Sequence, residues 1–183
     1  MCFSSLAKLE KWAEMGYTAR EMKNFSAETS AKGRFPLREY RRLLKETPVC
    51  CVDVLFFSPP KTKTLLFKRA NKPLRGVYFS MGGRLRKNEK LIDGAVRQAR
   101  QETGLRIRKN SLIFGGVQEE IHRDSIFKGV SYHAVDVFYG YILKENERVR
   151  LDGQHEGKRW FSLTDPHLHP FIKSKIRAFK GKI

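Results

Sequence analysis

Two hydrophobic periodicities alternate along the chain and predict a mixture of strands and helices. Residues 49–57, VCCVDVLFF, are rich in β-branched and aromatic side chains, and the Pro59-Pro60 pair that follows predicts the end of a strand. Residues 63–68 have the composition of its hairpin partner. The remaining predicted strands are residues 77–81, a segment within residues 105–118, residues 131–143 and residues 160–163.

Other segments show helical spacing. In residues 90–103, apolar side chains recur every three or four positions, and Gly104 suits the left-handed position just past a helix end. Pro36 suits the first turn of an earlier helix whose apolar stripe includes Leu44. Residues 170–180 have the pattern of a closing basic helix. This order of elements predicts an α/β fold in which helices cover a mixed sheet.

The charge of the chain says more about its partners than about its fold. Lys and Arg number 37 against 19 Asp and Glu, so the formal net charge is +18. Such a charge predicts attraction to polyanions, namely nucleotides, RNA or an anionic membrane surface. A length of 183 residues and a hydrophobic content of 40% suit one folded domain and exclude a wholly disordered chain.

Cysteine usage and hydropathy indicate a cytoplasmic location. Cys2, Cys50 and Cys51 lack the spacing of a metal site, and neighbouring cysteines on a strand point to opposite faces. We therefore expect reduced thiols. No apolar run approaches membrane-spanning length, and the N-terminus lacks the apolar core of a secretory signal. Acidic residues near the N-terminus argue against a mitochondrial presequence, and an organellar location stays open as the alternative.

The chain divides into an accessory segment and a domain. Residues 1–35 are predicted to be an accessory helical segment, because Leu6, Leu9 and Ala13 fit one face of a short helix. We expect this segment to pack on the domain or on a partner, and a poorly ordered terminus is the alternative. Residues 36–183 contain the predicted strands and the other helices, and form the predicted domain.

The segment with the clearest chemistry is a glycine pair followed by a helix that carries one carboxylate. Gly82 and Gly83 allow close backbone approach because glycine has no Cβ. Glu102 lies on the predicted helix and shares a face with Gln98 and Gln101, because residues three and four apart are neighbours. Magnesium is usually held by one or two carboxylates together with substrate phosphates. The pattern therefore indicates a seat for a phosphate and a metal ion.

This segment resembles the Nudix box, Gly-x5-Glu-x7-Arg-Glu-U-x-Glu-Glu-x-Gly-U, where U is aliphatic. The residues in register with that pattern are Gly83, Glu89, Arg97, Glu102, Gly104 and Leu105. Gln98 and Gln101 stand where the pattern has glutamates, and the GDP-mannose mannosyl hydrolase branch tolerates departures at both positions. The likeness to that branch covers about residues 37–163. It implies a Nudix α/β/α sandwich, with a mixed β-sheet between helices.

The resemblance also implies roles for individual residues. One Mg²⁺, with Mn²⁺ as the alternative ion, would be held by Gly82, Glu102 and Gln154. His155, which lies in a predicted loop, would be the general base, a task that suits the unperturbed pKa of histidine. Arg69 and Arg84 would contact the diphosphate leaving group, Asp53 would help to bind the sugar, and Glu89 and Arg97 would support the loop and helix.

Two functions of different class follow. The first is hydrolysis of a nucleoside diphosphate sugar such as GDP-mannose or GDP-glucose, with water attacking the anomeric carbon. The second is a degenerate Nudix domain that binds RNA or serves as an assembly subunit, which the net charge of +18 favours. Glu119 and Glu120 are alternative candidates for the base. The resemblance further suggests a homodimer.

Overall fold

The computed structural model describes residues 36–151 and 155–183. The accessory segment predicted for residues 1–35 and the predicted metal ligand Gln154 therefore lie outside the described residues. No described helix is both long enough and apolar enough to cross a membrane. The elements in chain order are α1 (Leu37–Glu46), β1 (Val49–Phe57), β2 (Lys63–Arg69), β3 (Tyr78–Phe79), β4 (Met81–Arg84), α2 (Leu91–Thr103), a 3-10 turn (Lys109–Ser111), β5 (Ile113–His122), β6 (Tyr132–Ile142), β7 (His155–Ser162) and α3 (Pro170–Arg177).

The described strands form one mixed sheet. Its main path runs β3-β2-β1-β6-β5, while β4 pairs with β1 and β7 pairs with β2. Strand β1 lies parallel to β6 from Val49↔Ala134 to Phe57↔Ile142, whereas the other pairs are antiparallel. The parallel pair needs a long crossover, and α2 lies within the connecting chain. The predicted mixed sheet is confirmed.

Alternation along β1 gives the sheet two differently covered faces. Val52 and Val54 pack in one cluster with Ala95 and Ala99 of α2. Leu55 and Phe57 point the other way, into a cluster with Phe179 that follows α3. We call these the α2 face and the α3 face. Helix α1 joins the α3 side, because Leu44 packs with Cys51. The arrangement is the predicted α/β/α sandwich.

Most predicted elements lie within three residues of the observed ones, and three strands differ in extent. Strand β4 continues through the glycine pair to Arg84, beyond the strand predicted for residues 77–81. Strand β5 starts at Ile113, inside the predicted segment 105–118, but continues to His122. The residues before it include the 3-10 turn, and Leu105 and Ile107 enter the core.

Strand β7 begins at His155, earlier than residue 160. His155 therefore opens a strand, where the sequence indicated a loop. The apolar and polar residues of β7 alternate only weakly, so the sequence did not predict where this strand starts. Its extent follows from its pairing with β2.

The two described cysteines differ in burial, as neighbours on opposite faces of a strand should, and the burial expected of core thiols holds only for Cys51. Cys50 is exposed and Cys51 is buried, and both are free thiols. Burial raises the pKa of the Cys51 thiol far above its ordinary value, and the hydrogen bond between Cys51 Sγ and the Tyr132 hydroxyl, at 3.1 Å, only partly opposes that effect. Cys51 therefore behaves as a core side chain.

Candidate active site

Close approach on both faces of the sheet explains the glycine pair of β4. A Cβ at Gly82 would lie 2.1 Å from Asp53 Oδ1, and a Cβ at Gly83 would lie 2.4 Å from Gln98 Nε2. Gln98 is 7% exposed, and its amide packs against β4, which we call the glycine strand. One of the two departures from the Nudix box therefore has a structural use, which is to join α2 to β4.

Helix α2 and strand β7 bring Glu102 and His155 together. Glu102 Oε2 lies 3.8 Å from His155 Nε2, and the two side chains are 4% and 6% exposed. The His155 ring also packs on Phe67, with ring centroids 5.3 Å apart. Because Phe67 belongs to the core cluster of the α2 face, the pair lies on that face. A buried carboxylate beside an imidazole is a suitable start for a metal-and-base centre.

A bidentate ion pair braces the loop between β4 and α2. Arg97 donates from Nε and Nη2 to the two carboxylate oxygens of Glu89, at 2.6 and 2.8 Å. Glu89 also accepts the Arg86 amide at 2.9 Å, and Arg97 donates to the Arg84 carbonyl at 3.3 Å. The Arg97 hydrogen bonds lower the pKa of Glu89. These contacts are the ones that a supporting role for Glu89 and Arg97 requires.

Replacing Arg97 by Gln should lower the free energy of unfolding by about 2–3 kcal/mol, because hydrogen bonds to a charged group are lost and Glu89 stays largely buried. Urea unfolding of Arg97→Gln, Glu89→Gln and the double variant would measure the coupling. Arg42→Gln is the matched control. The Arg42–Glu46 pair is exposed, so its loss should change the free energy of unfolding by at most about 0.5 kcal/mol. Equal losses of unfolding free energy for Arg97→Gln and Arg42→Gln would show that the Arg97–Glu89 ion pair does not stabilise the loop.

The predicted phosphate-binding arginines occupy different surroundings. Arg69 lies opposite His155 in the β2–β7 ladder, and its Nε donates to the Pro73 carbonyl at 2.9 Å. The guanidinium carbon of Arg84 lies 5.0 Å from the centroid of the Tyr40 ring. Because Tyr40 packs in the same cluster as Cys51, Arg84 is on the α3 side of β4. The glycine strand thus separates Arg84 from Glu102 and His155.

Asp53 belongs to a buried charged cluster on the α3 face. The ammonium nitrogen of Lys175 lies 2.7 Å from Asp53 Oδ2, 2.9 Å from Glu120 Oε1 and 2.6 Å from Asp136 Oδ2. Ser80 Oγ donates to Asp53 Oδ2 at 2.5 Å. Lys175 is fully buried. The contact between Asp53 and Lys175 is an ion pair, and the role of Asp53 in sugar binding stays a prediction.

The same carboxylates have the spacing of a metal site, but they already hold a cation. Ligand atoms of Asp53, Glu120 and Asp136 lie within 4.8 Å of one another, and they form the one such group among residues 36–151 and 155–183. The ammonium of Lys175 is within 2.9 Å of all three side chains. This cluster therefore fits a lysine, and Glu102 is the better candidate for a metal ligand.

The acids of the cluster differ in their affinity for protons. Burial, with the nearby Asp53 carboxylate, raises the pKa of Asp136 to about 8 although Lys175 opposes the rise. Burial also acts to raise the pKa of Glu120, but a hydrogen bond with His122 and the charge of Lys175 outweigh it and lower that pKa to about 2. These surroundings favour the protonated form of Asp136 and the ionised form of Glu120.

Replacing Asp136 by Asn should change how stability depends on pH. An unfolded aspartate has a pKa of about 3.9, so between that value and about 8 the folded wild type holds a proton that the unfolded chain lacks. This group therefore makes wild-type stability fall as pH rises through that window, by up to about 1.4 kcal/mol per pH unit. Urea unfolding at pH 5, 6, 7 and 8 should show Asp136→Asn gaining on wild type as pH rises.

The control for this measurement is Asp124→Asn, which changes an exposed aspartate that pairs with Lys72. It should follow the wild-type profile across the same pH range. A stability difference between Asp136→Asn and wild type that stays constant from pH 5 to 8 would show that Asp136 is ionised throughout.

Glu119 and Glu120, the alternative bases, point to opposite sides of β5. Glu120 is buried in the Lys175 cluster. Glu119 Oε1 lies 2.9 Å from His133 Nε2, and the Glu119 side chain is 64% exposed. Neither glutamate is described in contact with Glu102, whereas His155 lies beside it. His155 is therefore the better candidate for the base.

The fold and this pair define the class of the protein. A mixed sheet between helices, a glycine strand and a carboxylate on the following helix are the features of a Nudix-type hydrolase domain. The family model for the NUDIX domain matches residues 48–180. The chain belongs to the Nudix family, and hydrolase is its class at the level of the superfamily.

Individual proteins are similar to this chain over most of its length. Low-salt glycan biosynthesis protein Agl8 of Haloferax volcanii is 28% identical over 146 residues, which cover 79% of this chain and 90% of that protein. A MutT Nudix hydrolase from Burkholderia pseudomallei is 20% identical, with a TM-score of 0.60 and coverage of 73% and 98%. The Nudix domain of Shewanella oneidensis NrtR, solved with ADP ribose, is 18% identical, with a TM-score of 0.58 and coverage of 85% and 97%.

A longer structure has the same fold. A MutT/nudix family protein from Enterococcus faecalis is 22% identical with a TM-score of 0.54, and the match covers 88% of this chain but only 57% of that one. At these identities the solved structures support the fold alone.

Sequence reasoning missed Lys175 and Asp136, although both leave a signal. Lys175 follows Ile172 by three positions and precedes Phe179 by four, so it lies on the apolar stripe of α3. Asp136 interrupts the apolar residues of β6. A lysine on a buried stripe together with acids on buried strands signals an internal ion pair, because a buried charge needs a partner.

Proposed function

We propose that the protein is a magnesium-dependent hydrolase of a nucleoside diphosphate sugar, with water attacking the anomeric carbon and nucleoside diphosphate leaving. The observation that carries this proposal is the contact between Glu102 and His155 in a buried setting. The name of Agl8, a glycan biosynthesis protein, supports a sugar-containing substrate. The ADP ribose bound to the NrtR domain supports a nucleoside diphosphate.

The donor set fits one hard divalent ion. Glu102 supplies a buried carboxylate, the Gly82 carbonyl is the proposed second ligand, and Gln154 is the proposed third. Bound there, Mg²⁺, or Mn²⁺ in its place, would supply charge stabilisation for the leaving diphosphate. Gln98 and Gln101 add no negative charge to α2, and this supports a single ion in place of several.

His155 is the proposed general base. Its neutral imidazole takes a proton from the attacking water as the oxygen of that water bonds to the sugar C1. The bond from C1 to the diphosphate oxygen breaks at the same time. The products are the nucleoside diphosphate and the free sugar, with inverted configuration at C1. The ring is held against Phe67 and beside Glu102, which limits its orientation.

Arg69 and Arg84 are the proposed partners of the departing diphosphate, whose charge guanidinium groups neutralise well. Arg69 lies opposite His155 in the β2–β7 ladder, whereas Arg84 ends β4 on the side away from Glu102, so Arg69 is the better placed of the two. Asp53 is the proposed sugar contact, and its Oδ1 is the carboxylate oxygen that faces Gly82.

The products distinguish this reaction from ordinary Nudix chemistry. GDP-mannose, GDP-glucose and capped RNA would each be incubated with the protein and Mg²⁺ in ¹⁸O-labelled water, with products read by mass. We expect GDP and a labelled free sugar. GMP with sugar phosphate, or label in the nucleotide, would show attack at phosphorus and overturn the proposed mechanism.

The alternative function is RNA binding by a catalytically degenerate domain, and the net charge of +18 favours it. Such binding should weaken steeply between 50 and 200 mM salt, by about 10³–10⁵-fold if six to ten phosphates are contacted. Turnover of a nucleotide sugar together with salt-independent RNA affinity would exclude this alternative.

A further inference from the structure

Lys175 connects the last helix of the chain to the centre of the sheet. Its ammonium contacts carboxylates from β1, β5 and β6 and lies 5.0 and 5.8 Å from the ring centroids of Phe79 and Phe138. The residue is fully buried. A buried ion pair rarely improves stability over a well-packed apolar core, so its presence needs another explanation.

The cluster continues directly into the glycine strand. Lys175 lies 3.2 Å from Ser80 Oγ, and Ser80 in turn donates to Asp53 Oδ2 at 2.5 Å. Ser80 is the residue between β3 and β4. Asp53 pairs with Gly82 in the β1–β4 ladder, and its Oδ1 occupies the space where a Cβ of Gly82 would project. Lys175 therefore contacts both the residue that pairs with Gly82 across the ladder, Asp53, and the residue two positions before it, Ser80.

The opposite side of the same strand is restrained by α2. A Cβ at Gly83 would meet the Gln98 amide at 2.4 Å, and Gln98 lies one turn before Glu102 on α2. The glycine strand is thus held between the Lys175 cluster on the α3 face and the helix that carries Glu102. A shift of this strand on either side would move the Gly82 carbonyl relative to Glu102.

We propose that Lys175 is a positioning residue for the active site, acting through Asp53 and Ser80 to set the Gly82 backbone against Glu102 and the substrate diphosphate. This inference rests on the proposed function in so far as Gly82 and Glu102 share a metal ion. It assigns α3, which lies on the face opposite Glu102, a part in the geometry of the reaction.

The cluster contains its own matched control. Ser80 and Lys175 connect to the glycine strand, whereas Asp136 belongs to β6 and contacts Lys175 from the far side. Asp136→Asn keeps the size of the side chain and changes a Lys175 contact that comes from β6 and not from β1 or β4. A purely structural cluster would respond to each of these changes in proportion to lost stability.

The test compares Lys175→Met, Ser80→Ala and Asp136→Asn in the full chain. Amide exchange would be measured for β4 and, as an internal reference, for β7. Affinity for Mn²⁺ alone and kcat and KM with the best substrate of the panel would be measured beside them. Ser80→Ala removes one hydroxyl and keeps the test available if Lys175→Met does not fold.

We expect Ser80→Ala and Lys175→Met to raise exchange in β4 about tenfold more than in β7. Both should lower kcat/KM about 10–100-fold, mainly through kcat, since small displacements of positioned groups are costly. Asp136→Asn should stay within about twofold of wild type in both properties. Uniform exchange in the two strands, or activity that follows global stability in all three variants, would overturn the inference.

The measurements distinguish failure of the proposed reaction from failure of the positioning role of Lys175. If the products show attack at phosphorus, the kcat/KM comparison still applies to that reaction. If the wild type hydrolyses none of the substrates, exchange in β4 and Mn²⁺ affinity decide the role of Lys175. Unchanged exchange and unchanged Mn²⁺ affinity in Ser80→Ala and Lys175→Met would then reject it.

Discussion

Glu102→Gln is expected to lower kcat about 10²–10³-fold, which is the usual cost of removing one group that stabilises developing charge. Glu102 is the proposed carboxylate ligand, and an amide in its place removes the negative charge that holds the divalent ion. Affinity for Mn²⁺ should fall in parallel. Initial rates at saturating Mg²⁺ and calorimetric titration with Mn²⁺ would measure the two effects separately.

Glu46→Gln is the matched control for this substitution. Glu46 is an exposed residue of α1 that pairs with Arg42, so the same chemical change there should leave kcat and Mn²⁺ affinity unaltered. Because Gln has nearly the size of Glu, Glu102→Gln should change the packing at this buried position little. A Glu102→Gln variant with full activity and full Mn²⁺ affinity would remove Glu102 from the site.

His155→Gln should lower kcat about 10²–10⁴-fold if the imidazole is the general base, because glutamine cannot accept the proton of the attacking water. Mn²⁺ affinity should change far less than in Glu102→Gln, since the proposed role of His155 is proton transfer. Rates and Mn²⁺ titrations on the two variants would therefore separate the base from the metal ligand.

His167→Gln provides the comparison, because His167 is an exposed residue before α3. Its rate should equal that of the wild type. Equal rates for His155→Gln and wild type would leave the reaction without the proposed base. Loss of Mn²⁺ affinity in His155→Gln as large as in Glu102→Gln would instead make His155 a metal ligand.

Local sequence signals were sufficient for the elements that position the site. Helix α2 was predictable because its apolar residues recur at helical spacing and Gly104 takes the left-handed conformation at its end, with φ of 73°. Strand β1 was predictable because a continuous run of β-branched and aromatic residues is typical of a strand buried on both faces. In both cases the residues that indicate the helix or strand lie within that helix or strand.

Strand β7 was less predictable because it is only partly buried. Its residues are intermediate or exposed, so no apolar alternation marks its start at His155. Pairing with β2 defines its register, and that pairing holds the predicted base opposite Arg69. A segment whose conformation depends on a partner strand carries little local evidence of its own.

Local spacing along the chain was sufficient to identify the family, the Nudix-box helix, the glycine pair and the residue types available for chemistry. The charges that meet could be identified only once the helices were placed on the sheet. Lys175 and Asp53 are distant in sequence, yet their side chains are 2.7 Å apart because α3 packs across the sheet. The same packing places Arg84 on the α3 side and Glu102 with His155 on the other, since strand alternation and helix placement together select the face of each side chain.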